Sequence, residues 1–122
     1  MLHDPDFEKI VNEVRPLIKE LNVQETYQKL QAQDNIILID VREDHEWDNS
    51  RIPNSIHIGR GILERDIAKH ISDKNTEIIL YCGGGFRSAL AAINLQKMGY
   101  TNVFSINSGI RDWQESGYTL EK

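Results

Sequence analysis

The segment EIILYCGGGFRSALAAINLQKM, residues 77–98, constrains the fold of this chain more than any other stretch. Glu77–Tyr81 is a short apolar, β-branched run of strand length. Ser88–Met98 carries Leu90, Ala91, Ile93, Leu95 and Met98, an apolar set that predicts a helix, and Gly99 stands where a C-terminal cap glycine belongs. The turn between strand and helix holds Cys82, the only cysteine in the protein, followed by Gly83, Gly84, Gly85, Phe86 and Arg87.

A cysteine alone at a strand end is usually a small inert hydrophobe. Three glycines and an arginine directly after it reverse that reading. The thiolate is the reactive form, and a helix N-terminus with an adjacent cation favours it. The unpaired N–H groups of a first helical turn attract an anion, and glycines that adopt positive φ let further N–H groups curl inward. The expectation is an anion cradle with a nucleophilic sulfur at its floor, Gly83, Gly84, Gly85 and Phe86 forming the loop and Arg87 supplying a planar cationic fork. Two other phosphate motifs fail here. A P-loop needs a lysine after its glycines, and none occurs between Lys74 and Lys97. A dinucleotide fingerprint needs glycine or alanine at Ser88 and an acid about 20 residues later, where only VFSINSG stands.

The rest of the chain alternates strand and helix signals, the pattern of a parallel sheet. Asp4-Pro5 starts a helix whose apolar stripe is Phe7, Ile10, Val11 and Val14, continuing to Leu17 and Ile18, with Pro16 ending it near Arg15. Residues 1–18 are thus expected to form an added N-terminal helix packed on a domain of residues 19–122. Lys19–Leu21 reads as a strand, and Asn22 with Glu25 as a capping box for a helix ending near Gln31–Asp34, with Tyr27 and Leu30 inward. Asn35–Asp40 is a continuous apolar strand. Within Ser50–Ile58, a turn leading into a strand, Asn54 is the residue suited to positive φ. Ile58–Ile71 begins with a Gly-Arg-Gly turn and becomes a helix with Leu63, Ile67 and Ile71 along one face. Val103–Ile106 is the fifth strand and Gly109–Trp113 starts the last helix, which ends near Gly117.

Composition narrows the function. A chain of 122 residues with 39% hydrophobic and 27% charged content is one soluble globular domain. The net charge of −5 argues against nucleic-acid binding. No apolar run reaches membrane-spanning length, the opening residues lack a signal-peptide pattern, and one cysteine cannot close an internal disulfide, so a cytoplasmic location without membrane association is expected. Metal-ligand spacings are missing, and neither a metal nor a cofactor is expected.

Cys82-Gly83-Gly84-Gly85-Phe86-Arg87 resembles the active-site loop of the rhodanese family of single-domain sulfurtransferases. Phosphatases and arsenate reductases of the same fold place five residues between cysteine and arginine; here there are four. The resemblance extends to Asp40-Val41-Arg42 with Glu46-Trp47, to Ser50–Ile58, and to the closing Gly-Tyr, Asn-Val, glycine and tryptophan pattern. It departs at Ser50, Arg51, Asn54 and Ser55, and at Ser108, which replaces a glycine and would narrow the site entrance if backbone approaches there. It implies an α/β fold with a central five-stranded parallel sheet flanked by helices on both faces. It also implies that Cys82 takes a sulfane sulfur from thiosulfate or a persulfide as a persulfide, that the N–H groups of Gly83 through Arg87 stabilise it, and that Arg87 orients the departing sulfite. Arg60 is a further candidate substrate contact. Asp40, Arg42 and Glu46 are expected to be structural, with Arg42 paired to a carboxylate such as Glu46 and Trp47 covering that loop. Arg51, His45, His57 and Trp113 are expected to be packing or surface residues. The implied partners are a small sulfur-containing anion and a sulfur donor or acceptor protein. Two alternatives stand beside the enzyme: a non-catalytic persulfide carrier, favoured by glycines where a second basic loop residue often helps bind thiosulfate, and a cysteine-dependent phosphatase or arsenate reductase.

Overall fold

The computed structural model describes residues 3–33 and 35–122. In chain order they form α1 (Pro5–Val14), β1 (Lys19–Leu21), α2 (Val23–Ala32), β2 (Ile37–Asp40), α3 (Asp44–Asn49), β3 (Ile56–His57), α4 (Arg60–His70), β4 (Ile78–Tyr81), α5 (Phe86–Lys97), β5 (Val103–Ile106) and α6 (Gly109–Glu115). The five strands make one parallel sheet in the order β1-β5-β4-β2-β3. β4 is central, and every one of its residues is buried, as a strand covered on both faces requires.

Strand alternation sorts the core into two layers. Ile78, Leu80 and Cys82 point to a cluster built with Leu63 and Ile67 of α4 and Ala91, Ala92 and Leu95 of α5. Ile79 and Tyr81 point the other way, to Val23 of α2 and Ile110 and Trp113 of α6. Helices therefore cover both faces, and the cysteine belongs to the α4–α5 side. Ile71 lies one residue past α4 yet remains in that core.

Local signals act as read. Asp4 accepts N–H groups of Asp6 and Phe7 with Pro5 at the first helical position, and Pro16 turns the chain into a 3-10 segment, Arg15–Leu17, after α1. Asn22 and Glu25 bond reciprocally at 2.7 and 2.9 Å to start α2. Asn54 has φ 65° and Gly99, after α5, has φ 98°. Other expectations need correction. α4 begins at Arg60 itself, so the Gly-Arg-Gly segment is a helix start, not a turn. Tyr27 is 38% exposed and stacks on Tyr118 instead of entering the core.

α1 docks on its own domain. Val11 is fully buried against Ala89 and Leu90 of α5, with Phe7, Val14, Ile18 and Phe86 around it. Burial of a valine side chain is worth about 1.5–3 kcal/mol. The stripe is narrower than its sequence, since Ile10 and Leu17 are exposed. Among the described residues, no helix is long and apolar enough to cross a membrane.

Candidate active site

Cys82 leaves the carboxyl end of β4, where open parallel sheets place their ligands. It is 1% exposed, so the sulfur sits at the floor of the loop. Its Sγ accepts the N–H of Gly85 at 3.2 Å and the N–H of Ser88 at 3.4 Å. Ser88 Oγ lies 3.6 Å from the sulfur and shares a 2.7 Å hydrogen bond with Ser105 Oγ, so a buried pair of hydroxyls stands behind the thiol. The 12-residue α5 begins at Phe86 and adds the positive end of its dipole. The two backbone N–H groups and the helix N-terminus thus point at the sulfur, and the Cys82 thiol donates to the Ser88 hydroxyl.

The loop takes this shape because two glycines and the start of α6 hold it. Of the three consecutive glycines only Gly85 has positive φ, 93°; the expectation that Gly83 and Gly84 would also use the left-handed region is corrected. A Cβ on Gly85 would overlap the Asn107 carbonyl at the end of β5. Gly109, φ 70°, opens α6 so close to the loop that a Cβ there would stand 2.6 Å from the Cys82 carbonyl oxygen. From that approach Ile110 N–H donates to the Cys82 carbonyl at 2.9 Å and Arg111 N–H to the Gly83 carbonyl at 3.2 Å. Carbonyls anchored outward on α6 leave loop N–H groups free to face the sulfur. Ser108 does not narrow the entrance through its side chain, which is turned to Asp112 and donates to its carboxylate at 2.7 Å.

The charged groups pair differently from the expectation. Arg42 binds Asp40, with Nε at 3.0 Å and Nη2 at 2.7 Å, and also donates from Nη2 to the Ser50 carbonyl. Asp40 is fully buried, and among the described residues its hydrogen bonds come from the backbone N–H and guanidinium of Arg42. That pair lies beside the Tyr81 ring, on the face opposite Cys82. Glu46 instead receives the Arg87 fork, Nη1 to Oε1 at 2.7 Å and Nη2 to Oε2 at 3.1 Å, while Oε1 also accepts the Glu43 N–H. The hydrogen bond from Arg87, aided by that N–H, holds the Glu46 carboxyl down at about 2. Arg87 thus stands at the loop with its charge compensated, and Glu46 ties α3 to it.

The remaining candidates separate. Arg60 shares a cleft of about 330 Å³ with Arg87, Glu43 and Glu64. The Phe86 side chain turns away to α1, stacking on His3 and packing on Phe7. Trp47 is sandwiched between His57 and Arg51, which fits packing roles for all three. Among the described residues, no group of His, Cys, Asp or Glu side chains has the arrangement of a metal site.

Four residues at the site had no role in the sequence reading: Ser88, Ser105, Gly109 and Arg111. A hydroxyl in the first turn of the helix that follows the cysteine was a usable signal for Ser88, and a glycine opening the last helix one for Gly109. Ser105 and Arg111 carry none, because their strand and helix meet the loop only through the sheet order.

An α/β domain with a cysteine cradled between a central parallel strand and a helix is the class defined by this fold and site. The chain belongs to the Rhodanese-like domain family, whose pattern matches residues 23–116. It is 32% identical over 97 residues to a candidate sulfurtransferase, YtwF, of Bacillus subtilis, covering 80% of this chain and 91% of that protein. It is 33% identical over 96 residues to a candidate sulfur carrier protein of the same organism, YrkF, covering 79% of this chain but only 51% of that one, so it spans about half of that relative. A solved structure from Rhodopseudomonas palustris, described as of unknown function and a candidate tyrosine phosphatase, superimposes with a TM-score of 0.80 at 26% identity, over 99% of this chain and 98% of that one.

Proposed function

We propose that this chain is a sulfurtransferase that carries sulfane sulfur as a persulfide on Cys82. The observation that supports this best is the sulfur at the loop floor receiving N–H groups from Gly85 and Ser88. The Cys82 thiolate attacks the outer sulfur of thiosulfate. A Cys82–sulfur bond forms, the sulfur–sulfonate bond breaks, and its electron pair leaves with sulfite. The product is Cys82–S–S⁻, held by the loop N–H groups as an oxyanion hole holds developing charge. In the second half-reaction a thiolate, or cyanide in an assay, attacks the terminal sulfur, takes it away and restores the Cys82 thiolate. The described residues include one cysteine, so the persulfide is discharged by an external acceptor. Sulfurtransferase and carrier names among the relatives agree with this chemistry.

The second reading is a carrier loaded by a protein partner. It is favoured by the depth of Cys82 and by the engagement of Arg87 with Glu46, which compensates the charge of that fork. The test is intact-mass measurement after incubation with thiosulfate, beside Cys82→Ser. A gain of one sulfur atom on the wild type only, removed by cyanide with thiocyanate released over many turnovers, is expected. Loading by a persulfidated protein but not by thiosulfate would select the carrier. Hydrolysis of an aryl phosphate that disappears in Cys82→Ser would overturn both.

A further inference from the structure

Two guanidinium groups converge on the Cys82 loop from different elements, and only one is neutralised. The position that a Cβ on Gly83 would occupy lies 3.2 Å from Arg87 Nη2 and 3.4 Å from Arg111 Nη2. The same position on Gly84 lies 3.2 Å from Arg111 Nη1 and 3.9 Å from its Cζ. The Arg111 guanidinium therefore lies across both glycines, in room that side chains at 83 and 84 would take.

Its placement is built in. Arg111 is the third residue of α6, and its own N–H holds the Gly83 carbonyl at 3.2 Å while the Ile110 N–H holds Cys82. The Cα is thus fixed beside the loop and the side chain folds back over it. The nearest carboxylate in sequence, Asp112, is occupied by Ser108 Oγ at 2.7 Å and Ser116 Oγ at 3.4 Å. Among the described residues the ion pairs include none with Arg111. Arg87, in contrast, is bound at both ends of its fork by Glu46. Of the two guanidinium groups over Gly83, Arg111 is the one without an ion pair among the described residues.

We propose that Arg111 is the anion-binding residue of the site: it receives the oxyanion end of a sulfur donor, a sulfonate carried on a sulfane sulfur, while Arg87 serves with Glu46 to position the loop. A planar fork suits sulfonate oxygens as it suits carboxylate or phosphate oxygens. The donor class rests on the sulfur-transfer reading; the anion site does not, and the experiment separates them.

Cys82 is alkylated with iodoacetate and with iodoacetamide, which place the same carbon on the same sulfur and release iodide but differ by one negative charge. In Arg111→Gln the iodoacetate rate is expected to fall roughly tenfold against a nearly unchanged iodoacetamide rate, the scale of one lost charge-assisted contact. Arg111→Lys should keep most of the preference, and rising salt should erode it in the wild type because Arg111 is exposed. In parallel, the thiosulfate concentration that half-loads Cys82 with sulfur should rise roughly tenfold in Arg111→Gln, with the limiting rate little changed. Thermal melting of both variants monitors folding. An unaltered alkylation ratio and unaltered half-loading in Arg111→Gln would overturn the proposal, as would equal losses in the lysine variant. If wild type takes no sulfur from thiosulfate yet loses its iodoacetate preference in Arg111→Gln, the anion site stands and the donor assignment falls.

Discussion

Replacing Gly85 with alanine should damage this protein far more than the same change at Gly84, one residue away. Gly85 has φ 93°, where an L side chain costs about 1–2 kcal/mol. The new Cβ would stand 2.6 Å from the carbonyl carbon of Asn107 and also overlap its oxygen, which is backbone held at the end of β5. Overpacking against such a rigid neighbour adds about 1–3 kcal/mol, giving roughly 2–5 kcal/mol in all. In a domain of 122 residues each kcal/mol moves the melting temperature by about 4 °C, so Gly85→Ala should melt roughly 8–20 °C lower. At Gly84 φ is not in the left-handed region, and the Cβ meets only the Arg111 guanidinium at 3.2 Å, the movable end of a long side chain. Gly84→Ala should stay within about 2 °C of wild type. Thermal denaturation followed by circular dichroism, with urea titration as a second measure, gives both numbers. A loss below about 1 kcal/mol at Gly85, or equal losses at the two positions, would refute the account of how the loop is held.

Two further outcomes follow from the same site. Glu46 titrates at about 2 in the folded chain, below its ordinary 4.5, so its contribution is complete above pH 4.5 and is lost as pH falls through about 2. Glu46→Gln, at a partly exposed pair, should cost about 1 kcal/mol in urea titrations at pH 6, and the gap from wild type should close near pH 2; a gap that persists there would exclude the ion pair as its source. Ser88→Ala removes the hydroxyl behind Sγ but keeps the backbone N–H, so iodoacetamide alkylation of Cys82 should slow about 3- to 10-fold, the scale of one hydrogen bond. Unchanged alkylation would leave the Ser88–Ser105 pair without influence on the sulfur.

Much of this molecule was legible in its sequence because the relevant forces are local. Asp4-Pro5, the Asn22–Glu25 box, Pro16, Asn54 and Gly99 act within one turn of chain, and each does in the structure what its side chain dictates. The apolar run Ile78–Tyr81, followed at once by a cysteine, glycines and a helix, was enough to place the cysteine at a strand end and to imply the family. Sequence alone also established that this sulfur has no second thiol to answer it.

Partner choice across the sheet was decided only by tertiary structure. Two carboxylates and two arginines stand within a few residues of β2 and α5, and their types alone do not say which bind. Alternation along β2 sends Asp40 to the Tyr81 face with Arg42, whereas α3 carries Glu46 round to Arg87. Likewise β5 and α6 reach the Cys82 loop because β5 is the sheet neighbour of β4, an adjacency without a local sequence signal. That adjacency brings Ser105 behind the sulfur, presses Gly109 on the loop and lays Arg111 over Gly83 and Gly84. A contact's chemistry is written in the two residues that make it, but whether they meet depends on the packing of every element between them.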